Sequence, residues 1–308
     1  MQRKRFLVIS GFLNVFKDLY KSSAEVVEMI KRTFKDAFGV DVKIGHLGTL
    51  DPCAVGVLPV ALGKATRLCE FIEKNDKKYL FELTLGFKTA TGDQEGKVLD
   101  VRSVPFISDH LIASVCASLT GCYLQKVPSY SAAKVDGKRF YELARANREV
   151  PERYKEVNIK ELKFIKRNKN SLWFEVTCSS GTYIRTLCED ISTKLGTIGT
   201  MTFLLREASG NFHIKESISI TKLMDLIVKR EHFKVIIPVN KVLNHIPVVI
   251  LNYENSKKFV DGQEIWIKKD FGNFEILRVF SICGTFLGLA ERSKGEKKIW
   301  KPNKVIVI

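Results

Sequence analysis

Tyr79, Phe81, Leu83, Leu85 and Phe87 alternate with Leu80, Glu82 and Thr84. A period of two is met by a pleated strand and by no helix, because neighbouring side chains of a strand leave on opposite faces. The same period over Leu172–Cys178 predicts a second strand, so the chain must build a sheet. Other segments carry the helical period. Ser22-Ser23-Ala24-Glu25 has the spacing of a capping box, Val26, Ile30, Phe34 and Phe38 follow at i, i+4, and Gly39 supplies a stop. Leu111, Ile112, Val115, Cys116 and Leu119 predict a helix ended by Gly121, and Ile184, Leu187, Cys188, Ile191 and Leu195 predict another ended by Gly196. Helices and strands are therefore mixed along the chain.

After Leu243 the pattern changes. Phe274–Phe280, Gly284–Ala290 and Lys304–Ile308 are short apolar or alternating runs separated by Gly, Asp and Lys, which predicts a small β-rich domain. A length of 308 residues accommodates one large domain, 1–243, and this smaller one, 244–308. The basic stretch 294–304 reads as a solvated edge or as an RNA contact.

Several classes are excluded or disfavoured. The apolar run Pro52–Gly63 has 12 residues, well short of the ~20 that span a bilayer. Arg3-Lys4-Arg5 followed by Phe6–Phe16 imitates a signal peptide, but Asn14 interrupts it and Lys17-Asp18 follows, so it reads as a buried first strand. Seven cysteines form no C-x-x-C pair, which reads as reduced thiols in the cytoplasm. Five dispersed histidines offer no i, i+3 or i, i+4 pair, and no metal site is expected. The net charge of +16 draws polyanions such as nucleic acid, or it marks a protein that is merely basic. It is shared between both parts, since residues 240–308 hold 12 Lys/Arg against 7 Asp/Glu.

Four segments concentrate chemistry-bearing residues. Gly45–Leu58 carries three glycines, and Pro52 biases Asp51 toward an extended conformation, presenting its carboxylate from a stiff loop or simply forming a turn. In Gly181–Leu187, Thr182 has the character of an N-cap, which puts Arg185 in the first helical turn against the positive end of the helix dipole. A carboxylate opposite would relieve that placement, although an exposed or purely structural Arg fits as well. Tyr79 follows Lys77-Lys78 and reads as a base-stacking ring or as core. Residues 124–148 interleave Lys126, Lys134, Lys138, Arg139, Arg145 and Arg148 with Tyr130, Phe140 and Tyr141, which suits a nucleic-acid groove or a solvated loop.

Taken together these segments resemble the TruB family of tRNA pseudouridine-55 synthases. Gly45–Leu58 meets the family block G-H-x-G-[ST]-L-D-P-x-A-x-G-[VL]-L in full, and Lys77-Lys78-Tyr79 with Gly86, Thr89, Thr91, Asp93 and Gly96 follows its second pattern. Val127–Ala132 with Lys134, Gly137 and Tyr141–Arg145 resembles the family's RNA-contacting thumb, and Gly181–Leu187 is the fourth match. The likeness covers roughly residues 8–215, and the C-terminal segment resembles a PUA domain. There are departures. Lys17-Asp18-Leu19-Tyr20-Lys21-Ser22-Ser23 lacks the Pro and Gly of the family's Lys-Pro-x-Gly-x-Thr-Ser, which puts the shape of that loop in question, and Ser129 replaces a common proline.

The resemblance implies an α+β pseudouridine synthase fold, a mixed, mainly antiparallel sheet with flanking helices, plus a small β-barrel-like PUA domain. It implies isomerisation of uridine 55 in the T-loop of tRNA, with Asp51 as nucleophile, Arg185 as its ion-pair partner, and Tyr79 as the stacked ring and candidate general base. His46, Tyr183 and Leu205 would line the uridine site, and Lys134, Lys138, Arg139, Tyr141 and Arg145 would bind the T-arm. An ionised carboxylate held by a guanidinium suits that chemistry. No cofactor, metal, membrane or protein partner is implied, and a monomer is expected. A non-catalytic tRNA-binding protein and a guide-dependent enzyme of the dyskerin type remain the alternatives; the thumb-like segment favours a stand-alone enzyme.

Overall fold

The computed structural model describes residues 9–72, 75–146, 148–293, 295 and 298–308. Strand β1 (Gly11–Lys17) leads into helix α1 (Ser23–Phe38), and β2 (Ile44–His46) and β3 (Val55–Leu62) flank the glycine-rich loop. β4 (Lys77–Leu85) is followed by the hairpin β5 (Phe87–Thr89) and β6 (Val98–Val101), helix α2 (Asp109–Leu119) and β7 (Gly121–Lys126). The thumb-like segment forms a small hairpin, β8 (Lys134–Val135) and β9 (Lys138–Arg139), and helix α3 (Phe140–Arg145). Next come β10 (Tyr154–Asn168), β11 (Ser171–Cys178), α4 (Ile184–Lys194), β12 (Gly199–Ser209), β13 (Phe212–His213), β14 (Ile218–Ser219), α5 (Ile220–Val228) and α6 (Val239–Val242). The chain closes with β15 (Val248–Leu251), α7 (Tyr253–Val260), β16 (Ile265–Trp266), β17 (Ile276–Ser281), β18 (Phe286–Arg292) and β19 (Ile299–Val305).

Ten strands make one sheet in the order β14-β1-β3-β12-β4-β11-β10-β7, with β2 added to β3 and β13 to β12. Only the pairings of β1 with β14 and β12 with β3 are parallel, so the sheet is mixed and mainly antiparallel, as expected. Alternation along β4 is realised as buried Lys77, Tyr79, Phe81, Leu83 and Leu85 on one face. That face, with β11 and β12, packs against α2 and α4 around Phe81, Phe174 and Ile191. α1 and α5 cover β1 and β3 through Val26, Ile30, Phe34 and Leu223.

Helix α1 is bounded as its sequence predicts. The Ser22 side chain and Glu25 exchange capping-box hydrogen bonds, and Gly39 closes the helix at φ 66°. The alternation beginning at Tyr79 is not one strand through Phe87, because Gly86 at φ 97° turns the chain into the hairpin. The first strand runs over Gly11–Lys17, and the part of the expected strand before residue 9 lies outside the described residues.

Residues 248–305 form a separate five-stranded sheet, β15-β17-β18-β19-β16, with its own core around Phe259, Leu277 and the fully buried Trp300. Its Phe286 and Leu289, with Ile306, pack against Phe12, Val57 and Leu68 of the large body. Within the basic stretch 294–304, read as a solvated edge or an RNA contact, the chain enters β19, an inner strand between β18 and β16. Pro302 is accommodated at a register shift opposite Ala290, where its missing N–H interrupts the ladder. Among the described residues no helix is long and apolar enough to cross a membrane.

Candidate active site

The loop between β2 and β3 exposes backbone carbonyls that its tight course cannot pair with one another, and basic side chains take them up. Arg206 of β12, 1% exposed, donates from Nε to Val57 O at 2.7 Å, from Nη1 to Thr49 O at 3.3 Å and from Nη2 to Gly48 O at 3.2 Å. Ser23 at the start of α1 donates to Leu50 O at 3.1 Å and accepts from Leu50 N at 2.9 Å. Lys17, fully buried, donates to Pro52 O at 3.2 Å and also to Asp18 O and Lys21 O at 3.0 and 2.6 Å. Burial pushes its ammonium down to about 8. The loop is thereby rigid on both sides of Asp51. Sequence reading named neither Lys17 nor Arg206 as part of the site; the available signal was a charged residue at the end of an apolar strand for Lys17 and at a buried position inside one for Arg206.

Asp51 and Arg185 meet. Arg185 Nε lies 3.0 Å from Asp51 Oδ2 and its Nη2 3.5 Å from Oδ1. The remaining N–H groups donate to Thr91 O at 2.8 Å and Tyr130 O at 2.9 Å, and Asp93 Oδ2 stands 3.8 Å from Nε. The guanidinium is 7% exposed and the carboxylate 32%, so the cation is enclosed while the anion keeps one side open. Asp93 is itself held by Thr91 Oγ1 at 2.5 Å and by the Glu95 N–H at 3.1 Å. The expected carboxylate opposite Arg185 is thus present, at the N-terminus of a helix whose apolar stripe faces inward.

The expected N-cap is not. Tyr183 precedes the helix without a side-chain cap, and the Thr182 hydroxyl donates backward to Ser179 O at 2.9 Å. Gln125 of β7, 1% exposed, holds this end instead. Its Oε1 accepts from Tyr183 N at 2.8 Å and its Nε2 donates to Tyr183 O at 3.1 Å and to the Tyr123 hydroxyl at 2.9 Å. Tyr123 in turn donates to Asp190 at 3.1 Å. Burial raises the Asp190 carboxyl to about 6.

Tyr79 lies 6% exposed on β4, opposite Arg206 in the β4–β12 register. Burial raises its phenol, with the Arg206 charge opposing, so the ring is neutral at ordinary pH. His46 is half-buried with Nδ1 unpartnered, and burial followed by the Arg206 and Arg139 charges keeps its imidazole neutral. Leu205 is half-buried on β12 beside Val55, and Tyr183 is half-buried at the head of α4. Of the five thumb residues, Lys134, Lys138, Arg139 and Arg145 are exposed, Arg139 is near enough for its charge to act on His46, and both arginines cover the Tyr141 ring at 5.7 and 5.6 Å.

Cys53, Asp93 and Glu95 bring ligand atoms within 4.8 Å of one another. They fit a metal poorly. Arg185 already stands against Asp93 as the local cation, 3.8 Å from its carboxylate.

Residues 32–184 match the model described as TruB family pseudouridylate synthase (N terminal domain). Residues 185–244 match tRNA pseudouridylate synthase B C-terminal domain, and 247–299 match Pseudouridine synthase II TruB, C-terminal. The chain is 36% identical to tRNA pseudouridine synthase B of Clostridium perfringens (strain 13 / Type A), over 97% of this chain and 99% of the relative. It is 38% identical to the protein of the same name from Alkaliphilus oremlandii (strain OhILAs), over 84% of this chain and 83% of the relative. A solved structure of an H/ACA RNP bound to a substrate RNA containing 2'-deoxyuridine superposes with a TM-score of 0.71 at 21% identity, covering 97% of this chain and 85% of that one.

Proposed function

The chain belongs to the TruB family of pseudouridylate synthases, and on that premise we propose that it isomerises uridine 55 in the T-loop of tRNA with Asp51 as nucleophile. The observation that carries the proposal is the Asp51–Arg185 pair at 3.0 Å, the anion open on one side and the cation enclosed. In pseudouridine formation the N1–C1′ bond breaks, C5 bonds to C1′, the C5 proton goes to solvent and N1 gains one. No electrons are exchanged with an outside partner.

A base stacked inside a folded loop is out of reach of a carboxylate, so the nucleotide is flipped into the cleft at a cost of about a few kcal/mol. Asp51 attacks the flipped nucleotide, and Arg185 keeps the carboxylate aimed through two N–H contacts. Tyr79 supplies a neutral ring against the uracil. Its raised phenol argues against a free phenolate as the base, so stacking is the role assigned to it. His46, Tyr183 and Leu205 are assigned to line the uridine site. Lys134, Lys138, Arg139, Tyr141 and Arg145 take the T-arm backbone, and the 244–308 segment grips another part of the same RNA. Residues 1–243 act as the catalytic body, in a monomer.

The test is tritium release from an unmodified tRNA transcript labelled at C5 of uridine. About one equivalent from the intact protein, mapped to position 55, and none from Asp51→Ala is the expected result. Binding without release from bare transcript would favour the guide-dependent or non-catalytic alternative.

A further inference from the structure

The loop that departs from the family pattern, Lys17–Ser23, keeps its course by an unusual means. Tyr20, which stands where the family pattern has Gly, adopts φ 61°, a left-handed conformation that bulky side chains rarely take. The backbone cannot relax out of it. Tyr20 N–H donates to Pro52 O at 2.9 Å, and Lys17 binds the carbonyls of Asp18 and Lys21 on either side together with the same Pro52 O. These anchors tie Tyr20 to the residue that follows Asp51.

The side chain lies mostly in solvent. Tyr20 is 69% exposed and makes no ring or cation–ring contact among the described residues. The interior does not need its ring, and its backbone would be easier as Gly, so what remains for the ring is a surface met from outside. Pro52 beside it is exposed, and Leu19 is 37% exposed. Together they form an exposed aromatic and apolar stretch, tied to the residue after Asp51 by the Tyr20–Pro52 hydrogen bond, in a strongly basic protein. Strained residues held by surrounding anchors occur preferentially at ligand clamps, and the ligand chemistry that suits a lone exposed phenol ring at a polyanion cleft is an unstacked nucleobase.

We propose that Tyr20 stacks on a nucleotide adjacent to the flipped uridine, adding an affinity contact particular to this chain. The inference rests on the function proposed above. The experiment compares the intact protein with Tyr20→Gly and Tyr20→Phe on unmodified T-arm RNA. It reads KM and kcat by tritium release, melting temperature, and the fluorescence of 2-aminopurine placed next to the target uridine. Stacking worth ~1–3 kcal/mol per base converts to roughly a 5- to 150-fold loss of affinity. Tyr20→Gly is expected to melt at or above the intact protein, raise KM at least about 5-fold within that range, leave kcat unchanged and lose the 2-aminopurine quench, while Tyr20→Phe retains both KM and quench. An unchanged KM and quench in Tyr20→Gly, or a lower melting temperature with kcat lost and KM kept, overturns the inference. Failure of the intact protein to release tritium removes the premise as well, which separates the two failures.

Discussion

Replacing Arg185 by Met keeps most of the stem volume and deletes every N–H that the guanidinium presents. Removing one partner of a buried ion pair costs about 3–5 kcal/mol. Because Asp51 is 32% exposed, solvent recovers part of that cost, which places the pair at the lower end, ~3 kcal/mol. The carbonyls of Thr91 and Tyr130 then lose donors at 2.8 and 2.9 Å. Both residues are half-buried and water can reach them, so together they add ~1 kcal/mol rather than the full penalty for stranded acceptors. The expected loss is therefore ~4 kcal/mol, or roughly 8 °C at ~2 °C per kcal/mol for a large domain. Arg185→Lys keeps the charge but not the fork and should lose about half as much. Urea unfolding followed by circular dichroism measures the loss, and a double-mutant cycle with Asp51→Asn isolates the pair, with a coupling of at least ~1 kcal/mol expected. If Arg185→Met unfolds within about 1 kcal/mol of the intact protein, or the coupling is zero, the guanidinium does not organise Asp51 in the free enzyme.

Two further outcomes follow from the same geometry. Asp190 has its carboxyl raised to about 6 from the ordinary 3.8, so its contribution to stability is complete below about pH 4 and lost as pH rises through 6; Asp190→Asn should raise stability by ~1–2 kcal/mol at pH 7.5 and leave it unchanged at pH 4, as read from urea midpoints, and an equal effect at both pH values would refute the assignment. Gly56 has φ 111°, and a Cβ there would lie 2.4 Å from the Arg206 carbonyl oxygen and 2.9 Å from Leu205 Cδ1, so Gly56→Ala must part β3 from β12 and should cost more than ~3 kcal/mol, with an unaltered melting temperature counting against the close approach.

Much of the fold was legible because its signals are local. The period of two in β4 and β11, the capping box of α1 and the inward stripe of α4 each depend on residues within a few positions. The placement of Arg185 against a helix dipole was also readable; it left an exposed or structural Arg open beside a carboxylate partner, and only the family resemblance pointed to Asp51. What could not be read was anything decided by distant parts. That Gln125, 58 positions away, replaces Thr182 as the group holding the head of α4 depends on which strand lies beside it. Lys17 and Arg206 look from sequence like charges at strand positions, and only the course of the glycine-rich loop turns them into the donors its carbonyls require. The basic stretch 294–304 read as a solvated edge or an RNA contact, because the neighbours that make β19 an inner strand come from elsewhere in the domain.

Sheet order also sets the sequence of events during synthesis. β3 and β4 are consecutive large strands in the chain, yet β12 lies between them, pairing parallel to one and antiparallel to the other. A growing chain that has reached residue 198 therefore holds one edge of β4 and the Val55–Gly56 end of β3 without their β12 partner, while β1 and β2 already pair with the rest of β3. Unpaired edges of this kind recruit other chains. Arg206 arrives on the inserting strand itself, so the floor under Asp51 is laid in the same event that closes the sheet. Products of interrupted translation ending before Gly199 should aggregate rather than bind or modify RNA, and catalytic competence is acquired only after about two-thirds of the chain has emerged.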